Sequence, residues 1–118
     1  MKKRILVVDD SQAILDVMTM ALEAEGFEVS TSPTGACFRH MERNLPELIL
    51  LDVLLSGEDG GEICLRLKSD EQTRRIPVIL ISAHAGLQET AGRCGADGFL
   101  VKPFHLTDLR DIVDKYLT

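Results

Sequence analysis

A chain of 118 residues with 45% hydrophobic and 27% charged side chains can bury one core without disulfides or a metal staple. Nineteen acidic against thirteen basic residues give a net charge of −6, which disfavours direct binding of this domain to nucleic acid or to an anionic membrane. The cysteines Cys37, Cys64 and Cys94 are odd in number and form no C-x-x-C pair, so reduced thiols in a cytoplasmic protein are expected, not a disulfide frame.

The chain starts with Lys2-Lys3-Arg4 and an apolar run at 5–8. Asp9-Asp10 cuts that run too short for a signal peptide or a membrane span, and it reads as the first strand. A helical face follows at Ile14, Leu15, Met18 and Leu22, with Ser11 placed to cap it and Gly26 to end it in a left-handed conformation. A weaker strand is expected at 27–30. Ser32-Pro33-Thr34 then opens a second helix, with Cys37, Met41 and Leu45 on one face and Pro46 closing it. The run 48–51 predicts the third strand, and Ile63, Cys64 and Leu67 mark the third helix. The fourth strand falls at 78–81, just after Pro77. The fourth helix is expected to be short or partly frayed, because Gly86, Gly92 and Gly95 crowd it. A fifth strand at 98–101 and a last helix on Leu109, Ile112, Val113 and Tyr116 complete the chain.

Near-continuous apolar runs suit strands covered on both faces. The alternation predicts a single α/β domain over 1–118: an open, doubly wound sheet of five parallel strands with five helices and right-handed crossovers.

Ligands of such sheets bind at the carboxyl ends of the strands. The first strand there gives Asp9-Asp10, the third Asp52, the fourth Ser82 and the fifth Lys102. Each alone has an ordinary explanation. An Asp after a strand is more often a turn or cap residue, Ser82 is a common cap type, and a lysine is usually solvated. Five such residues at one edge are hard to explain as caps. Three carboxylates repel, one lysine is too little countercharge, and a hard cation such as Mg2+ would relieve them. Metal, lysine and hydroxyl around a carboxylate suit in-line phosphoryl transfer to that carboxylate.

Four stretches carry a family likeness: Ile5-Leu6-Val7-Val8-Asp9-Asp10, Leu48-Ile49-Leu50-Leu51-Asp52, Pro77-Val78-Ile79-Leu80-Ile81-Ser82-Ala83 and Gly95-Ala96-Asp97-Gly98-Phe99-Leu100-Val101-Lys102-Pro103-Phe104. Over essentially its whole length the chain resembles the response-regulator receiver domains of two-component signalling. The resemblance implies a flavodoxin-like fold with strand order 2-1-3-4-5. It implies that Asp52 accepts a phosphoryl group from a histidine kinase, a phosphotransfer protein or a small phosphodonor. Asp10, Asp9, Asp52 and the backbone carbonyl of Leu54 would hold Mg2+. Ser82 and Lys102 would bind the phosphoryl group, and a cis bond before Pro103 would aim the lysine. Phe99 takes the place of the family's switch aromatic and would move with Ser82. The partners implied are a kinase, a downstream protein or attached output domain, and a phosphorylation-dependent second copy. Such a domain is a switch and not a turnover enzyme.

The chain departs from the family pattern in places. Leu55-Ser56 stands where many receivers carry Met-Pro, while Gly60 is retained. The stretch from Ser82 to Lys102 is shorter than the family norm, within the glycine-rich fourth helix. Leu54 and His84, two residues beyond Asp52 and Ser82, would set the lifetime of the phosphoryl group. His40 and His105 read as surface residues, with His105 at the start of the last helix. Two other functions compete. One is a haloacid-dehalogenase-type Mg2+ phosphatase, which would place its nucleophile in an Asp-x-Asp after the first strand. The other is a receiver-like binding module that works without phosphate.

Overall fold

The computed structural model describes residues 2–40 and 45–117, apart from the side chain of His40. In chain order the elements are β1 (Arg4–Val8), α1 (Gln12–Ala24), β2 (Glu28–Ser32), a 3-10 helix (Gly35–His40), β3 (Leu48–Asp52), the short strands β4 (Leu54–Leu55) and β5 (Glu58–Asp59), α2 (Gly60–Ser69), β6 (Val78–Ser82), α3 (Leu87–Cys94), β7 (Gly98–Val101) and α4 (Leu106–Leu117). The five long strands pair in parallel in the order β2-β1-β3-β6-β7. This is the expected 2-1-3-4-5 arrangement once the β4–β5 hairpin is counted separately. No described helix is long and apolar enough to cross a membrane.

Alternation along the strands divides the core in two. Leu6, Val8, Ile49, Leu51, Val78 and Leu80 meet α2 and α3 through Ile63, Cys64, Leu67, Leu87 and Ala91. Ile5, Val7, Leu48, Leu50, Ile79, Ile81 and Leu100 meet α1 and α4 through Leu15, Met18, Leu22, Leu109 and Val113. Burial on both faces is why the runs read as continuous and not as alternating. Strand β2 is the exception. It lies at the sheet edge and its residues are mostly exposed, which explains its weak signal.

Capping agrees with the sequence. Ser11 accepts the Ile14 N–H and starts α1, and Gly26 follows its end at φ +94°. The glycines expected to fray the fourth helix instead bracket it. Gly86 precedes α3, Gly95 ends it in the left-handed conformation, and Gly92 alone lies inside. The helix is short, with eight residues.

The second helix is a correction. Among the described residues, four α-helices and one 3-10 helix stand where five helices were expected. Side chains hold the amides of its first turn: Glu58 Oε1 accepts the Gly35 N–H (2.9 Å) and Thr34 Oγ1 accepts the Ala36 N–H (3.2 Å). A six-residue segment opened by glycine is short for an α-helical nucleus, and the tighter winding serves such short pieces. Met41, expected on this helix, lies outside the described residues.

The three thiols are free. Cys37 is half-buried, and Cys64 and Cys94 are buried between α2 and α3. Burial and the adjacent Cys94 push the Cys64 thiol up to about 12, so it is a packing group and not a nucleophile.

The hairpin is clamped behind β3. The Gly60 N–H donates to the Val53 carbonyl (2.7 Å), and a Cβ on Gly60 would lie 2.2 Å from the Asp52 carbonyl oxygen and 2.7 Å from Val53 Cα. Both obstacles are backbone. Gly60→Ala is therefore expected to destabilise the fold by about 2 kcal/mol or more, measured by chemical denaturation. A neutral substitution would show that the hairpin is not held where the structure places it.

Candidate functional site

Parallel pairing brings the ends of β1, β3 and β6 side by side. Val8 pairs with Leu51, and Asp52 pairs with Ile81. Asp9 and Asp52 are consequently almost fully buried, at 1% and 5% exposure, while Asp10 is exposed. One oxygen from each of Asp9, Asp10 and Asp52 lies within 4.8 Å of the others.

Lys102, from the loop after β7, reaches into this cluster. Its Nζ lies 2.9 Å from Asp9 Oδ2 and 3.4 Å from Asp52 Oδ2. The Lys102-Pro103 bond is cis, as the resemblance implied. Backbone amides hold the carboxylates as well. Ser11 N–H donates to Asp9 Oδ1 (2.9 Å) and Leu54 N–H to Asp52 Oδ1 (3.2 Å).

The electrostatics follow from the crowding. Burial, and then the charge of Asp9, push the Asp52 carboxyl above its usual range, although Lys102 and the Leu54 amide oppose them. Burial pulls the Lys102 ammonium down. Its bond to Asp9 and the charges of Asp52 and Asp9 outweigh burial and leave it raised. One ammonium thus faces three acids, and the donor set is oxygen throughout. A hard divalent cation that keeps some of its waters fits such a set.

Ser82 ends β6 next to this cluster, buried at 1% exposure. Its carbonyl accepts the Lys102 N–H (2.9 Å), and its Oγ accepts the His84 N–H (3.0 Å). Leu54 and His84 both line a groove with Val53, Glu58 and Glu62, and Leu54 is 65% exposed. Phe99 stands apart, on β7 opposite Leu80 and 37% exposed. His105 is exposed, just before α4, and its N–H donates to Asp108 Oδ2 (3.1 Å).

Sequence reasoning missed one polar group here. The Ser56 hydroxyl, at the tip of the β4–β5 hairpin, donates to Asp10 Oδ2 (2.8 Å). The signal was available as a hydroxyl residue in a proline place, but its reach depends on the hairpin's direction.

The sheet and its edge define a class: an open doubly wound α/β protein with a cluster of acids beside an ammonium and a hydroxyl. Comparison with known proteins narrows that class. The family model described as the response regulator receiver domain matches residues 5–114. The response regulator PleD of Caulobacter vibrioides is 45% identical over 106 residues, covering 87% of this chain and 23% of that protein. The phosphate regulon transcriptional regulatory protein PhoB of Rhizobium meliloti is 41% identical over 113 residues, covering 92% of this chain and 49% of that protein. The chain thus spans 23% of one of these relatives and 49% of the other. A solved structure of a putative response regulator from Chloroflexus aurantiacus superposes with a TM-score of 0.93 at 27% identity, covering 99% of this chain and 98% of that one. The receiver domain of sensor histidine kinase PA1611 from Pseudomonas aeruginosa, solved with a magnesium ion coordinated in its active site cleft, superposes with a TM-score of 0.88 at 28% identity. It covers 98% of each chain. The chain belongs to the response regulator receiver domain family of two-component signalling.

The raised Asp52 carboxyl has a measurable consequence in ion-free protein. The fold binds that proton more readily than the unfolded chain does, so stability falls as pH rises from the ordinary carboxylate range through the raised folded value. Asp52→Asn removes this loss. With chelator present, the variant is expected to melt on the order of a few degrees higher than wild type at neutral pH, and the gap should close toward pH ~4. Thermal melts at both pH values check this, and a variant that melts lower at neutral pH would contradict the crowding.

Proposed function

We propose that Asp52 is the phosphoacceptor of this domain, taking its phosphoryl group from a histidine kinase, a phosphotransfer protein or a small phosphodonor, with Mg2+ as cofactor. The observation that carries this is the placement of Asp52: buried, third among clustered acids, and 3.4 Å from the Lys102 ammonium. Asp9, Asp10, Asp52 and the Leu54 carbonyl would hold the ion. When bound, it supplies countercharge for the acids and for oxygens of the transferring group.

The chain's own groups do the rest. A carboxylate oxygen of Asp52 attacks phosphorus in line as the donor's leaving group departs. Lys102 is already within reach of Asp52 and neutralises charge on an equatorial oxygen. The Leu54 N–H keeps the attacking carboxylate oriented. Ser82 leaves the His84 amide to bond the phosphoryl group, and that contact, made in the phosphorylated state alone, shifts the conformational equilibrium. Phe99 is the second moving part, its ring taking up a new position as the Ser82 loop shifts. Output would pass to a downstream protein, an attached domain or a second copy, and the domain would turn over no substrate beyond its own transfer and dephosphorylation. A cytoplasmic location suits this role.

Incubation with Mg2+ and acetyl phosphate, read by intact mass, tests the reading. One added phosphate is expected on wild type and none on Asp52→Ala. Lys102→Ala is expected to slow phosphorylation on the order of 10²-fold. A phosphate that persists in Asp52→Ala overturns the assignment, and steady hydrolysis of a generic phosphomonoester would favour a phosphatase instead.

A second prediction concerns the residues that follow Asp52 and Ser82. Leu54 and His84 lie two residues beyond Asp52 and Ser82 and line one groove, so each is expected to influence how readily water reaches the acyl phosphate. Leu54→Asn and His84→Ala should each change the phosphoryl half-life several-fold, followed by mass after donor removal. Unchanged half-lives in both would remove them from that role.

A further inference from the structure

The site contains a polar contact that the receiver pattern does not provide. Ser56 occupies a place where many receivers carry proline, and a proline has no side-chain donor. Its hydroxyl donates to Asp10 Oδ2 at 2.8 Å, across 46 residues of sequence.

The contact is built and not incidental. Ser56 lies at the tip of a hairpin in which Leu54 pairs with Asp59 and Leu55 with Glu58. Gly57 follows at φ +73°, a conformation that glycine adopts without strain and that lets the chain reverse in two residues. Leu55 is buried beneath the hairpin, Glu58 accepts the Gly35 N–H, and the Gly60 N–H ties its base to Val53. The hydroxyl is thus presented from a closed hairpin tied to the rest of the fold by Leu55 and Glu58. Asp10, its acceptor, is the exposed member of the three clustered acids and has the most orientational freedom to lose.

We propose that Ser56 is a positioning residue for the cation site. It holds the Asp10 carboxylate through Oδ2, so that Asp10 is oriented before the ion arrives. This rests on the reading of Asp9, Asp10 and Asp52 as the Mg2+ site. The physical reason is the one that makes outer partners of metal ligands matter generally: a ligand already fixed in direction loses less freedom on binding. The replacement of proline is then an exchange. The turn gives up a residue that stiffens the chain and gains a donor that stiffens a ligand.

The experiment is calorimetric titration of Mg2+ into the unphosphorylated protein, with thermal melts in chelator as a control. Ser56→Ala is expected to weaken Mg2+ binding by at least about threefold, below the tenfold or more typical of outer partners, because Asp10 is exposed. Ser56→Thr keeps the hydroxyl and should bind within about twofold of wild type. Ser56→Pro restores the family's turn residue, should melt at or above wild type in chelator, and should bind Mg2+ as weakly as Ser56→Ala. That combination separates positioning from hairpin stability. Equal or tighter binding by Ser56→Ala, or wild-type binding by Ser56→Pro, overturns the inference and leaves the phosphoacceptor reading untouched. Normal Mg2+ binding without phosphorylation of Asp52 strikes that reading alone, and a wild type that binds no Mg2+ overturns both.

Discussion

Two buried carboxylates share one ammonium, and the arrangement of the whole molecule serves that contact. Asp9 and Asp52 are placed by neighbouring central strands, and Lys102 is brought to them from the edge strand β7. None of the three would be stable in such a position alone, because a buried charge needs a partner. The sheet supplies the rigidity for this. Its central strands are covered on both faces, and their register fixes the depth at which each chain end emerges. The arrangement remains short of positive charge. That shortage, and not any single residue, is what suits the edge of this sheet to a hard cation.

Much of this could be read from the sequence because parallel sheets are unusually explicit. Leu48, Ile49, Leu50 and Leu51 are all fully buried, so no polar residue interrupts them, and the next residue, Asp52, marks the strand's end. The same logic placed Asp9, Ser82 and Lys102. It weakened wherever one face was open. Strand β2, exposed at the edge, was legible only as a fragment and was displaced by two residues at its end. The 3-10 helix was misread because its geometry depends on Glu58, a residue 23 positions away that bonds the Gly35 amide. Helical spacing is local and carries no trace of such a tie. The Ser56 hydroxyl was missed for the same reason: its acceptor belongs to another strand's loop.

The glycines show how position outweighs composition. Three of them near the fourth helix counted against it by propensity. Two sit at its boundaries, and Gly95, at φ +77°, is a favourable end where most residues would be strained. What the sequence signalled as weakness is in large part punctuation. The helix is short because it is delimited.

That short helix bears on how a change at the site could reach the surface. Strand β7 turns Leu100 toward α4 and leaves Phe99 and Val101 on its other side, where both remain substantially exposed. The Ser82 carbonyl accepts the Lys102 N–H, and the ladder behind it pairs Ser82 with Val101 and Leu80 with Phe99. The hydroxyl and the ammonium of the site therefore sit on adjoining ends of one two-strand ladder, and the aromatic lies three residues back along it. Under the proposed function, a displacement of Ser82 toward a phosphoryl group would act on this ladder directly, without a relay through the core. Under the proposed switch, the exposed ring of Phe99, on the same ladder, would be the side chain through which such a change reaches the surface. A helix of eight residues covers less of β7 than a longer one would, and Phe99 and Val101 accordingly remain exposed on that strand.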